Sequence, residues 1–74
     1  MHSSSTQNIE IVVNGDIKAV PEGLTVVELL GILSIAPDRV AIELNRSIVR
    51  RPEWATARIE PNAHLEIVQF VGGG

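Results

Sequence analysis

One stretch of this chain carries the marks of a capped helix and is the best-specified element in the sequence. Thr25 and Glu28 have the spacing of a capping box, in which each side chain reaches the other's free backbone N–H. Leu24 and Leu29 flank them at the positions of a hydrophobic staple. Val26, Leu29, Leu30 and Leu33 recur at i, i+3, i+4 and i+7, which gives one apolar stripe and one buried face. Gly31 costs about 1 kcal/mol against alanine inside a helix. A close approach of helix to sheet is its expected reason. The helix is expected to stop near Ser34, because Pro37 disfavours helical geometry at Ala36.

The segments on either side read as strands. Ile9 to Val13 alternates and is rich in β-branched residues, which suit a pleated strand. Asn14-Gly15 then fits a type I′ hairpin turn, where both central residues need positive φ. Asp16 to Val20 returns as a second strand, with Ile17 and Ala19 expected on the core side. Val40, Ile42 and Leu44 alternate with Ala41 and Glu43 in a third strand. Asn45-Arg46-Ser47 turns the chain into a short fourth strand at Ile48-Val49. Pro52-Glu53-Trp54-Ala55 reads as one helical turn with proline pre-set at its start, and Trp54 is expected to pack over the edge of the core. Ile59 precedes a polar turn over residues 60–64. Leu65 to Phe70 is the last strand, and its pattern is ambiguous. Leu65 and Ile67 fit one face, while Val68 and Phe70 fall on the other. Either the strand is central with apolar residues on both faces, or Val68 and Phe70 form an exposed patch that marks a partner surface.

Together these elements describe an α+β domain. One helix covers one face of a mixed sheet of about five strands, with the first and last strands parallel in the middle through a right-handed crossover. This is the ubiquitin-like β-grasp arrangement. The expected organisation is a disordered N-terminus over residues 1–8, the domain over 9–71 and a flexible tail over 72–74.

Several function classes drop out. The chain has 74 residues, so its core is modest, and the 45% hydrophobic content must hold it without a cysteine. Lack of cysteine removes disulfides and thiolate chemistry. A net charge of −3 and no basic patch argue against nucleic acid. Arg50-Arg51 is the one basic pair and reads as a solvated loop. No apolar run is long enough to span a bilayer, and the polar first eight residues do not resemble a signal peptide. A cytoplasmic location is expected. There is no GxGxxG and no P-loop, and His2 and His64 are too isolated to form a site. Glu10, Glu43 and Glu66 are scattered on strands as solvent-facing charges. No catalytic residue, metal or bound cofactor is expected.

The tail, Gly72-Gly73-Gly74, is the remaining signal. Three glycines lose the most entropy if ordered and have little use in packing. A tail without Cβ atoms suits threading a narrow slot to present a carboxylate to another protein. From Val71 outward it reaches roughly 10 Å. A frayed terminus is the plain alternative.

The chain resembles the ThiS family, the sulfur carriers of thiamin biosynthesis. The resemblance runs from Ile9 to Gly74. Its marks are Val13-Asn14-Gly15, Thr25-Val26-Val27-Glu28-Leu29-Leu30, Val40-Ala41-Ile42-Glu43-Leu44-Asn45, Ile48-Val49-Arg50, Trp54, and Leu65 to Val71 before the glycines. Two features depart from the family pattern: Asn62-Ala63 stands where a Gly-Asp turn is frequent, and three glycines end the chain where many relatives have two.

The resemblance implies that an E1-like adenylyltransferase of the ThiF type activates the Gly74 carboxylate with ATP. A sulfur donor protein then displaces AMP to leave a thiocarboxylate, and a ThiG-type thiazole synthase receives the sulfur. On this expectation Gly72, Gly73 and Gly74 thread the partner's active site, and Val68, Phe70 and Val71 form the partner surface. ATP belongs to the partner. The small subunit of molybdopterin synthase, or another β-grasp sulfur carrier, is the nearest rival. A β-grasp module that docks without being activated is the rival of another class.

Overall fold

The computed structural model describes residues 7–70. Within them lie β1 (Asn8–Val13), β2 (Asp16–Pro21), α1 (Val26–Ile32), β3 (Val40–Leu44), β4 (Ser47–Val49) and β5 (His64–Gln69), with short 3-10 turns at Pro37–Arg39 and Arg51–Glu53. The five strands form one sheet in the order β2-β1-β5-β3-β4. β1 and β5 are parallel neighbours in its middle. This is the β-grasp arrangement expected from the sequence. β1 starts at Asn8, a residue assigned above to the N-terminal segment, and the Gln7 carbonyl accepts the Glu22 N–H at 2.7 Å. Residues 1–6 and 71–74 lie outside the described residues.

α1 forms where its sequence says it should. The Thr25 hydroxyl accepts the Glu28 N–H at 3.3 Å, and the Glu28 carboxylate accepts the Thr25 N–H at 2.9 Å. Val26, Leu29 and Leu30 are buried against Ile11, Ile42 and Leu65 of the sheet. Fully burying one such side chain stabilises by about 1.5–3 kcal/mol. No helix among the described residues is long and apolar enough to cross a membrane.

The helix stops for a reason other than Pro37. Ser34 adopts φ 60°. Its N–H donates to the Gly31 carbonyl at 3.1 Å, and the Ile35 N–H donates to the Leu30 carbonyl at 2.9 Å. That pair of bonds is a Schellman motif, usually closed by glycine in the left-handed position. Gly31, in turn, makes no close approach to the sheet. A Cβ built on it meets nothing within 4 Å.

The β1–β2 hairpin corrects a face assignment. Asn14 and Gly15 have φ 51° and 87°, both positive, as a type I′ turn requires. The two-residue turn pairs Val13 with Asp16, Ile11 with Lys18 and Ile9 with Val20. Directly paired residues share a face, so the core side of β2 carries Asp16, Lys18 and Val20. Ile17, 71% exposed, and Ala19 point the other way. Val20 alone in β2 is buried. The apolar character of Ile17 suggested the opposite parity, but the turn fixes the register.

The β3–β4 turn has two residues, not three. Asn45 and Arg46 hold φ 51° and 72°, and Ser47 already pairs with Leu44. Trp54 lies within the core, not over its edge, and its indole N–H donates to the Val49 carbonyl at 2.8 Å. Arg51 is exposed yet fastened. Its guanidinium stands 5.0 Å from the Trp54 ring centroid and donates to the Pro37 carbonyl at 2.7 Å. It therefore ties the two 3-10 turns together.

Ser34→Gly should raise stability by about 0.5–1 kcal/mol, because a side chain in the left-handed region is strained and glycine is not. Urea unfolding reads this directly. A midpoint that stays or falls would contradict a strained cap.

Candidate functional site

β5 leads the chain towards Val71 and the glycines, and its neighbours hold it along its length. On one side it pairs with β3 from Val40↔Gln69 to Leu44↔Leu65. On the other, the parallel pairing with β1 covers only Val12↔His64 and Val13↔Leu65, because β1 turns away at Asn14. The Asn14 side chain continues the ladder where the backbone leaves it. Its Oδ1 accepts the Ile67 N–H at 2.7 Å, and its Nδ2 donates to the Ile67 carbonyl at 3.1 Å. Asn45 acts similarly at the other end. Its N–H donates to the His64 carbonyl at 2.7 Å, and its Oδ1 accepts the His64 N–H at 2.9 Å. Beyond the strand, the Phe70 N–H donates to the Arg39 carbonyl at 2.8 Å.

These two asparagines were expected only as turn residues. Sequence carries a partial signal for more. Asn tolerates positive φ, and its amide can imitate a peptide group. Which strand it would imitate depends on the tertiary fold.

The two faces of β5 differ. Leu65 and Ile67 are buried beneath α1, while Val68 and Phe70 are 54% and 57% exposed. Of the two readings open for these residues, the exposed apolar patch is the one the structure shows. Ile48, 70% exposed, adds to the same open face from β4. Val68 stands opposite Ala41, and Glu66 stands directly opposite Glu43, which in turn pairs with Ile48. The register thus brings together two carboxylates that the sequence left scattered. Glu10 pairs with Ala19 near the far edge and does not join them.

His64 is the first residue of β5 and is exposed, with no set of neighbouring ligands. Among the described residues no group of three or more His, Asp or Glu side chains could hold a metal. A groove of about 380 Å³ lies on the helix side between α1 and the 3-10 turns and includes Leu30, Gly31, Ile35 and Trp54. It is on the opposite side of the sheet from Val68 and Phe70. Its one charged lining residue, Arg51, already bonds to Pro37. What the described residues build is therefore a fastened central strand with an apolar and acidic open face. Val71, Gly72, Gly73 and Gly74, expected to serve as partner surface and threading tail, lie outside the described residues.

Comparison with known proteins gives a consistent picture. The family model described as the ThiS family matches residues 5–74. A thiazole synthase of Paramagnetospirillum magneticum is 36% identical over 66 residues, and one of Magnetococcus marinus is 33% identical over 66 residues. Each match covers 89% of this chain but 20% of the relative, so the chain spans about a fifth of those proteins. An uncharacterized protein, ycf40, of Porphyra purpurea is 32% identical over 68 residues, covering 92% of this chain and 96% of that one. The crystal structure of a thiamine biosynthesis protein, ThiS, from Geobacter metallireducens superposes with a TM-score of 0.78 at 32% identity, covering 89% of this chain and all of that one.

Asn14→Gly isolates the side-chain ladder, since glycine keeps the turn geometry and removes the amide. It should destabilise the protein by about 1–2 kcal/mol, the cost of leaving the Ile67 N–H and carbonyl without their partner. Chemical denaturation would measure this. Equal or greater stability would show that Asn14 serves the turn alone.

Proposed function

We propose, from the premise that this chain belongs to the ThiS family, that it carries sulfur for thiazole formation in thiamin biosynthesis. The family match over residues 5–74 carries this reading. The similarity to part of two thiazole synthases supports the choice of acceptor over a molybdopterin synthase. In those relatives a domain like this one is covalently part of the synthase chain, which raises its effective concentration at the synthase.

The chemistry falls on Gly74. A carboxylate resists nucleophilic attack because its charge opposes the incoming electron pair. An adenylating partner removes that obstacle by joining the Gly74 carboxylate to AMP and releasing pyrophosphate. A sulfur nucleophile then attacks the acyl carbon, and AMP leaves. Where the donor is a persulfide, a thiol reduces the intervening S–S bond and frees the thiocarboxylate. Thiazole synthase takes the sulfur from there. The carrier contributes no general base and no metal. It acts as a protein co-substrate, and it meets its partners in the cytoplasm, where ATP is plentiful.

The fold supports this role mechanically. β5 ends at Gln69, the Phe70 N–H is held by Arg39, and the sequence continues as Val71-Gly72-Gly73-Gly74. A strand hydrogen-bonded on both sides leads into this sequence, and Val68 and Phe70 offer an exposed apolar surface at its end. Val71, outside the described residues, is assigned to the same partner surface on the strength of the family resemblance alone.

Gly73→Val and Gly74→Val should fold with unchanged urea midpoints and lose activation, because a side chain there collides with the walls of a slot built for backbone. ATP–pyrophosphate exchange with the matched adenylating enzyme measures this. Normal exchange by both variants would sink the threading role of the tail.

A further inference from the structure

We infer that Asn14-Gly15 is a site of spontaneous deamidation that the Ile67 backbone holds closed, and that release of Asn14 from β5 opens it. Asparagine amides are among the heat-labile groups of a protein. Their loss runs through the following residue. The Gly15 backbone nitrogen, giving up its proton, bonds to the Asn14 Cγ. The Cγ–Nδ2 bond breaks, and ammonia leaves with that proton. Water then opens the resulting imide ring at one of its two carbonyls. Opening at Cγ leaves an aspartate. Opening at the Asn14 backbone carbonyl leaves an isoaspartate, with the main chain rerouted through the former side chain. No atom is oxidised or reduced.

Glycine favours the attack, because no side chain shields its nitrogen. The other asparagines, Asn8, Asn45 and Asn62, precede Ile9, Arg46 and Ala63. The hairpin turn adds no shield of its own. Asn14 and Gly15 are both exposed, and a Cβ built on Gly15 meets nothing within 4 Å. The protection comes from another strand. Asn14 Oδ1 accepts the Ile67 N–H at 2.7 Å, and Nδ2 donates to the Ile67 carbonyl at 3.1 Å. Both polar ends of the amide are thus tied to a residue 53 positions away. Closing the imide ring draws Cγ towards the Gly15 nitrogen and out of both bonds. Two hydrogen bonds favour the tied arrangement over the released one by about 5- to 30-fold.

The products do not restore the ladder. Aspartate turns an acceptor, where Nδ2 had been a donor, towards the Ile67 carbonyl. Isoaspartate lengthens a turn whose two-residue length pairs Val13 with Asp16. Either way β5 loses its fastening on the β1 side beyond Leu65, in the strand that leads to the tail.

The test incubates the full chain at neutral pH, in buffer and in denaturing guanidinium chloride, and follows the amide-to-acid mass gain by peptide fragmentation. In denaturant, Asn14 is expected to react ahead of Asn8, Asn45 and Asn62 and to yield both aspartate and isoaspartate. Gly15→Ala should slow the reaction there, where strain in the folded turn has no bearing. In buffer the wild-type rate is expected to be about 5- to 30-fold lower than in denaturant. Asn14→Asp should unfold at a lower denaturant midpoint than wild type. Equal rates in buffer and denaturant would show that Ile67 does not guard the amide and would overturn the proposal. So would another asparagine reacting first in denaturant, or Gly15→Ala reacting as fast as wild type. An unchanged midpoint for Asn14→Asp would separate the reaction from the fastening of β5 and overturn that consequence.

Discussion

The parallel contact between β1 and β5 joins the two halves of the sheet, β2-β1 on one side and β5-β3-β4 on the other. It joins the first and last strands across the whole chain, and only a crossover of the intervening elements makes it possible. Its backbone part is brief, because β1 must turn at Asn14 to form the hairpin. The Asn14 amide resolves that conflict. It occupies a left-handed turn position with its backbone and imitates a neighbouring strand with its side chain. β5 is thereby bonded on both sides up to Ile67, and by β3 alone beyond it. A strand so placed is a suitable stalk for a working terminus, since it cannot shift in register without breaking both ladders.

The second constraint is the strict alternation of a strand. α1 covers one face of the sheet, so Leu65 and Ile67 are buried and their alternates Glu66, Val68 and Phe70 face outward. Packing and exposure thus fall on the same strand without competing for the same residues. Core residues can be kept apolar for packing while outward residues are free to match a partner. The covered face supplies the packing energy, and the open face carries the exposed apolar residues Val68 and Phe70.

Much of this was legible in the sequence. Thr25 and Glu28 announced the helix start, Asn14-Gly15 the hairpin, and the order of elements the β-grasp topology. These are local signals whose meaning does not depend on distant residues. Three misreadings have physical causes. Ile17 was placed inward on hydrophobicity, although a two-residue turn after an inward Val13 forces Asp16 inward and Ile17 outward. Ser34 gave no hint of a left-handed cap because that position usually holds glycine. Gly31 suggested close packing, yet space around it is open. The exposure of Val68 and Phe70, and the meeting of Glu43 with Glu66, depend on which face the helix covers and on inter-strand register. Neither is encoded within a single segment.

Sulfur carriage on Gly74 would change the mass of the chain, and intact mass spectrometry of the protein made in cells with a working thiamin pathway reads that change. The expected result is a fraction heavier by one sulfur-for-oxygen exchange, with fragmentation placing the change at Gly74. A protein that stays unmodified, even after incubation with ATP, a sulfur source and the matched adenylating enzyme, would contradict it and favour a module that docks without being activated.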